Sequence, residues 1–334
     1  MNDPITVAGG GAWGSALAHL LVENGHACRL WVRDPKQCAT IEATHTNPRY
    51  LAGYTLSKRL AVTSDPSALS APIVVCAVPC QQLRSFLAAH ADFFTSDVLL
   101  VNVAKGLELT RRIPCSRIVS EELRTPCYAM LSGPSFASGV LEGHPTAVSL
   151  ACASGDKGRA LCKIFSNSRF RAYYTDDVLG VELGGALKNV MAIAAGIADA
   201  LLLGPNARSA LITRALAEMA RLGLALGAQE TTFMGLSGIG DLVLTCTTDN
   251  SRNRRVGLGL GRGKALSEVL ATLGGVAEGV PTAAAVVELA KEYGVDMPLT
   301  RAVYAVCHKG VAPSAVVHDL LARIVRDERW SSSV

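Results

Sequence analysis

The sequence predicts an α/β protein in two parts, a mostly parallel sheet over residues 1–177 and an all-α domain over 178–334. Three observations predict it. The chain opens on a strand, a glycine turn and a helix, from Ile5 to Val22. Apolar runs of strand length then alternate with helical segments, the order of βαβ units in a sheet covered on both faces. Beyond Asp177 helical spacing dominates and no convincing strand follows. The first part is therefore read as Rossmann-like.

The opening segment reads Ile-Thr-Val-Ala-Gly-Gly-Gly-Ala-Trp-Gly from Ile5 to Gly14. The Gly9-x-Gly11-x-x-Gly14 spacing is weak by itself. Here it ends a β-branched strand, opens a helix from Ser15 to Val22 and leads to a second strand, Arg29 to Val32. Gly9 permits the tight turn, Gly11 lets the backbone approach a pyrophosphate, and Gly14 lets helix and strand pack closely. The pyrophosphate of a dinucleotide would rest on the free N–H groups of the helix. The plain alternative is a structural βα turn.

Further strands are expected at Ile73 to Pro79, Val98 to Ala104, Tyr128 to Leu131, Thr146 to Ala151 near an edge, and Phe170 to Thr175. A helix from Gln81 to Ala91 follows the first of these. Ligands gather at the carboxyl ends of parallel strands. Arg33, Pro79, Lys105 and Gly133 sit at such ends and are aimed at one crevice. In the second part Ser209 to Leu226, Ala283 to Tyr293 and Pro313 to Arg326 have helical spacing. No Pro/Gly/Ser linker marks the boundary near residue 178, so the apolar segment Val178 to Leu203 joins the halves. It carries Glu182, Lys188, Asn189 and Asp199, too many polar groups for a membrane span, and reads as a buried central helix.

A chain of 334 residues, 49% hydrophobic and 18% charged, suits a compact globular protein and argues against disorder. The net charge of +4 makes no case for nucleic acid, though it favours anionic small substrates. The ten cysteines lack zinc spacing and read as free thiols of a reducing cytoplasm, with no metal site expected. The first apolar run is the nucleotide-binding strand itself, so no signal peptide is expected.

Several residues have the chemistry of a site. Arg33 and Asp34 follow the second strand. An arginine there accommodates a 2′-phosphate and an acid binds ribose hydroxyls. Arg33 comes first, which favours NADP(H) over NAD(H); the alternative is a solvated Arg33 and an Asp34 that caps the next turn. Lys188 lies mid-way along the apolar helix, where desolvation lowers an ammonium pKa and suits it to proton donation; otherwise it snorkels to the surface. Lys105, at a strand end, meets it across the cleft or is a solvated cation. Asp241 and Thr245 are four apart and share a face if that segment is helical, where the carboxylate can pair with a lysine; otherwise Asp241 is an N-cap. The run from Ser251 to Arg255 can clamp a phosphate or form plain basic surface.

Together these segments resemble bacterial NAD(P)-dependent glycerol-3-phosphate dehydrogenases over nearly the whole chain. The resemblance rests on the blocks Gly9 to Leu17, Leu30 to Pro35, Ala104 to Glu108, Ser132 to Ala137, Gly184 to Val190, Asn206 to Arg214, Gly240 to Cys246 and Ser251 to Arg255. It implies reversible reduction of dihydroxyacetone phosphate to sn-glycerol 3-phosphate, a precursor of phospholipids, by a cytoplasmic homodimer. Lys188 matches the catalytic proton donor and acceptor. Lys105 matches a residue contacting substrate and cofactor, and Asp241 a carboxylate of the substrate site. Gly133, Ser135, Asn189, Thr245, Ser251, Arg252 and Asn253 fall on substrate positions. Gly9, Gly11, Ala12, Trp13, Gly14, Arg33, Pro79, Ala137, Arg252, Val276 and Glu278 fall on cofactor positions. Ala12 and Trp13 depart from a frequent serine and tyrosine, which is expected to remove one pyrophosphate hydrogen bond and keep the turn. The competing readings are a β-hydroxyacid-type dehydrogenase, whose substrates carry a carboxylate, and a sensor that holds NADP(H) without turnover.

Overall fold

The computed structural model describes residues 4–124 and 127–323. Ten strands are formed: β1 (Ile5–Ala8), β2 (Cys28–Trp31), β3 (Thr46–Asn47), β4 (Leu51–Thr55), β5 (Ala61–Thr63), β6 (Ile73–Cys76), β7 (Leu99–Asn102), β8 (Cys127–Ser132), β9 (Thr146–Cys152) and β10 (Phe170–Thr175). Eight make one sheet in the order β10-β9-β8-β7-β6-β1-β2-β5, and β3 and β4 form a separate hairpin. From β5 to β8 all neighbours are parallel. The expected strand at Thr146 lies one place in from the edge, and it pairs antiparallel to β8. Strands β3, β4 and β5 lie at the edge or outside the main sheet and carry no continuous apolar run, so they lack the signal that marks the buried strands.

Apolar runs fill the sheet because both of its faces are covered. Val7, Val75 and Val101 belong to one buried cluster, and Val74 and Leu100 to the cluster on the other face. The common orientation of β2, β6, β7 and β8 brings Arg33, Pro79, Lys105 and Gly133 to one rim, as the sequence implied.

Because β9 and β10 run the other way, the chain leaves β10 at the opposite rim. Asp177 then caps a 23-residue helix, Val178–Ala200, by accepting from Gly180 N–H. This helix climbs beside β8. Glu182 accepts from the Tyr128 hydroxyl near the start of β8, at 2.6 Å. At Gly185 an added Cβ would lie 2.9 Å from Ser132 Oγ at the strand's end. Less than one turn later Lys188 reaches the crevice rim. The helix is apolar and long enough to cross a bilayer, yet 83% of that stretch is buried inside the protein, which makes it the core helix the sequence implied.

The helices Gly204–Ala225, Asp241–Thr247, Arg252–Gly261, Gly279–Glu292 and Pro298–Lys309 pack against this central helix. Helix Arg252–Gly261 approaches to backbone contact: a Cβ on Gly196 would lie 2.1 Å from the Arg254 carbonyl oxygen. The expected helix at Ser209 begins earlier, at Gly204, where Pro205 suits a first turn. The last expected helix runs Pro313–Leu321, and residues 324–326 of that expectation lie outside the described residues.

Candidate active site

The rim opens at the glycine turn. Gly9 has φ +125°, open to glycine and costly for other residues. A Cβ on Gly14 would lie 2.0 Å from the Gly9 carbonyl oxygen, so only glycine lets the helix start this close to the strand. Gly11 faces open space. Helix Ala12–Glu23 has no side-chain cap and no acid in its first turn. Its leading N–H groups are left to a ligand, and a dinucleotide pyrophosphate fits this cradle. Behind the turn, Gln37 and buried Asn47 donate to the Gly10 carbonyl at 2.6 and 2.9 Å. Neither had a sequence signal, because both come from elements with weak patterns.

Arg33 is exposed beyond β2. Asp34 Oδ1 accepts from Lys36 N–H at 2.9 Å and caps helix Pro35–Thr44. The alternative role considered for Asp34 is thus the one observed.

Lys188 does not snorkel. It is 6% exposed, and its Nζ donates to Asp241 Oδ1 at 2.6 Å and to Thr245 Oγ1 at 2.7 Å. Lys105 Nζ donates to the other oxygen, Asp241 Oδ2, at 2.6 Å, and to the Gly133 carbonyl at 3.2 Å. One carboxylate that is 1% exposed therefore holds two ammonium groups, one on each oxygen. The trio carries one excess positive charge. Each ammonium has three N–H donors and spends two within the described residues, which leaves donors for an incoming oxygen.

The electrostatics follow from burial. Desolvation pulls the Lys188 ammonium down to about 8; Asp241 opposes that and the Lys105 charge adds to it. Burial pushes the Asp241 carboxyl up, but Lys105 and Lys188 outweigh it and hold it below the usual carboxylate range.

Asp241 is not an N-cap. It is the first residue of helix Asp241–Thr247, after Gly240. A π-helical turn, Leu236–Gly240, delivers it, and a Cβ on Gly238 there would lie 2.0 Å from the Phe233 carbonyl oxygen. The spacing to Thr245 acts as the sequence implied. Thr245 Oγ1 donates back to the Asp241 carbonyl at 2.6 Å, so its lone pairs face Lys188.

The basic run is the start of a helix and not a solvated loop. Ser251 caps helix Arg252–Gly261 by accepting from Arg254 N–H. Arg254 points inward, 2.7 Å from Asp199 and also paired with Asp249. Asn253 Nδ2 donates to Asn189 Oδ1 at 2.9 Å, and its Oδ1 accepts from Gly279 N–H. Asn189 is thus brought to Asn253 and away from Lys188. Arg252 and Arg255 are exposed. Gly275 lies over the Arg252 guanidinium, where a Cβ would meet Nη1 at 2.1 Å.

Glu278 reaches back to the sheet half. Its Oε1 accepts from Cys80 N–H, beside Pro79, at 3.2 Å, while Oε2 is buried without a partner. Burial pushes this carboxyl up to about 7. An orphaned polar atom beside the rim fits a cofactor contact. Ser135 Oγ donates to the Gly133 carbonyl, Ala137 starts a short helix, and Val276 is 47% exposed.

Comparison with known proteins shows which family the chain belongs to. Residues 4–157 match the N-terminal model of NAD-dependent glycerol-3-phosphate dehydrogenase, and residues 177–318 match the C-terminal one. A glycerol-3-phosphate dehydrogenase [NAD(P)+] of Desulfovibrio desulfuricans is 56% identical, covering 98% of this chain and 100% of that protein. One from Nitratidesulfovibrio vulgaris is 52% identical over 97% and 99%. The crystal structure of glycerol-3-phosphate dehydrogenase from Coxiella burnetii superposes with a TM-score of 0.93 at 38% identity, covering 96% and 99%. The chain belongs to the NAD-dependent glycerol-3-phosphate dehydrogenase family.

Proposed function

We propose that this protein reduces dihydroxyacetone phosphate to sn-glycerol 3-phosphate, reversibly, with a nicotinamide cofactor, and so supplies glycerophospholipid synthesis. The observation that carries this reading is the Lys188–Asp241–Lys105 trio, in which one buried carboxylate holds two ammonium groups. The cradle of Gly9, Gly11, Ala12, Trp13 and Gly14 holds the pyrophosphate, and Pro79, Ala137, Val276 and Glu278 hold the nicotinamide end. Bound there, the reduced cofactor supplies hydride.

The chain's own residues do the rest. Arg252, with Ser251 and Asn253 shaping its turn, holds the substrate phosphate. Gly133 and Ser135 form the facing wall. Fixing both ends of a three-carbon substrate places its carbonyl carbon for reaction. Negative charge grows on the carbonyl oxygen as the carbon is reduced. Lys188 stabilises that charge and donates its proton, giving the secondary alcohol. Lys105 and Asp241 hold the Lys188 ammonium in place. The excess positive charge of the trio favours an anionic substrate and an oxyanion-like transition state.

The exposed Arg33 at the end of β2 supports a preference for NADP(H) over NAD(H). The break between Thr175 and Val178 supports a division into a nucleotide domain, 1–177, and a helical catalytic domain, 178–334. The cysteines, all free thiols, suit a cytoplasmic enzyme, and a homodimer is the expected assembly. The deciding experiment follows nicotinamide absorbance with dihydroxyacetone phosphate, with NADPH and NADH in parallel, in the wild type and in Lys188→Ala. Turnover lost in the variant supports the reading. Absence of turnover from protein that binds NADPH overturns it in favour of a carboxylate-bearing hydroxyacid.

A further inference from the structure

We infer that Asn102 and Gln81 are positioning residues, which fix Lys105 by holding the backbone on either side of it. The inference rests on the role of Lys105 proposed above. Lys105 lies outside any helix or strand, between the end of β7 and helix Cys115–Glu122. In such a stretch the backbone groups need partners from elsewhere. Two side-chain amides supply them. Asn102 Oδ1 accepts from Ala104 N–H and its Nδ2 donates to the Ala104 carbonyl, both at 3.2 Å. Gln81, from helix Cys80–His90, donates Nε2 to the Leu107 carbonyl at 2.7 Å and accepts from Leu109 N–H at 3.0 Å.

Each amide thus takes one donor and one acceptor, as a neighbouring strand would. Between the two clamps, Lys105 Nζ reaches Asp241 and Gly133 together. Asn102 is fully buried at the end of an otherwise apolar strand, where its Nδ2 also lies 3.4 Å from Met130 Sδ. A buried amide is costly unless satisfied, and its bonds are strengthened by the same low dielectric. Holding Lys105 gives that amide a reason to be there.

The consequence reaches Lys188. The titratable and charged groups acting on it are Asp241 and Cys246 from helix Asp241–Thr247, and Lys105 from the clamped loop. Glu182, on the same helix, is bound to Ser116 and Tyr128. If Lys105 drifts, its repulsion is lost and Asp241 is left to Lys188 alone. Lys188 then keeps its proton to higher pH.

The test compares Gln81→Ala, Asn102→Asp and Lys105→Ala with the wild type. It measures kcat and KM for dihydroxyacetone phosphate, NADPH affinity by fluorescence titration, melting temperature, and the pH profile of kcat. Gln81→Ala and Asn102→Asp are expected to lower kcat about tenfold, the scale of a misplaced reacting group. NADPH affinity should hold, and the alkaline limb should move to higher pH. Loss of a merely structural residue would lower melting temperature without moving that limb. Gln81 is exposed, so its variant decides the matter even where Asn102→Asp fails to fold. Unchanged kcat in Gln81→Ala, or a fall with an unmoved limb, overturns the inference. A crippled Lys105→Ala beside an unaltered Gln81→Ala overturns the clamps alone, whereas an active Lys105→Ala overturns the role of Lys105 itself.

Discussion

The glycine turn and the charged trio are built in opposite ways. The turn occupies consecutive residues from Gly9 to Gly14 and works by leaving atoms out. The trio gathers Lys105, Lys188 and Asp241, the first and the last 136 positions apart, and works by burying charge. A site made by omission is stated where it stands in the chain. A site made by burial exists only once the topology has brought its parts together, because a buried charge is tolerated only when paired. The reversal of β9 and β10 is the decisive step. It returns the chain to the far rim, and the central helix can then climb beside β8 and lift Lys188 to Asp241.

The sharpest test of that contrast is Lys188→Ala. Removing a pre-organised electrostatic donor costs on the order of 3 kcal/mol, a hundredfold or more in rate. Turnover should disappear while NADPH binding, which belongs to the turn, stays near the wild-type value. A variant keeping a tenth of its activity would break the role given to the lysine. The same group sets the pH response of the wild type. In the proposed reduction Lys188 is the donor and so must be protonated, and its ammonium is pulled down to about 8 by burial. The reduction rate should fall as pH rises through about 8, and the reverse reaction should rise through the same range. Opposite limbs with one midpoint in initial-rate profiles are the expected result.

The turn breaks differently. Gly14→Ala drives a methyl group into the Gly9 carbonyl, with overpacking of about 3 kcal/mol, so stability and NADPH affinity should fall together. Gly11→Ala meets no protein atom within 4 Å, so stability should change by less than about 0.5 kcal/mol. Its methyl group enters the space the pyrophosphate needs, and affinity alone should fall. Melting curves beside NADPH titrations read both. If Gly11→Ala binds NADPH normally, the cradle is only a structural turn.

Legibility followed the same division. Continuous apolar runs marked the buried parallel strands, because two covered faces demand them. Strands β3 to β5 carry no such run, so they and Asn47, which braces the turn, have no signal in the sequence. Lys188, Asp241 and Ser251 each had a bland alternative of similar weight, since one residue's spacing does not say what faces it. The structure answers each differently: Lys188 is buried and paired, Asp241 is no cap, and the Ser251 to Arg255 run opens a helix that Ser251 caps, a role neither of its two readings contained. Glu278 had no local signal at all, and its contact with Cys80 spans 198 residues. Arg252, the exposed member of its turn, remains the phosphate ligand to test. Charge-assisted contacts of this kind are worth about 1.5–3 kcal/mol. Arg252→Ala should therefore raise the substrate KM about tenfold or more, with a smaller loss in kcat. An unchanged KM would place the phosphate elsewhere on the rim.

The smallest expected effect lies at the outer end of the turn. Arg33 is exposed, and an exposed ion pair is worth about 1 kcal/mol or less. Arg33→Ala should weaken NADPH about fivefold and leave NADH unchanged, because only NADPH carries the 2′-phosphate. The difference should shrink as salt is added, since ions screen exposed charges over about 10 Å at 0.1 M. Equal weakening of both cofactors would move Arg33 from the phosphate to the adenosine. No weakening of either would leave it a solvated cation, and cofactor choice would then rest with other residues of the rim.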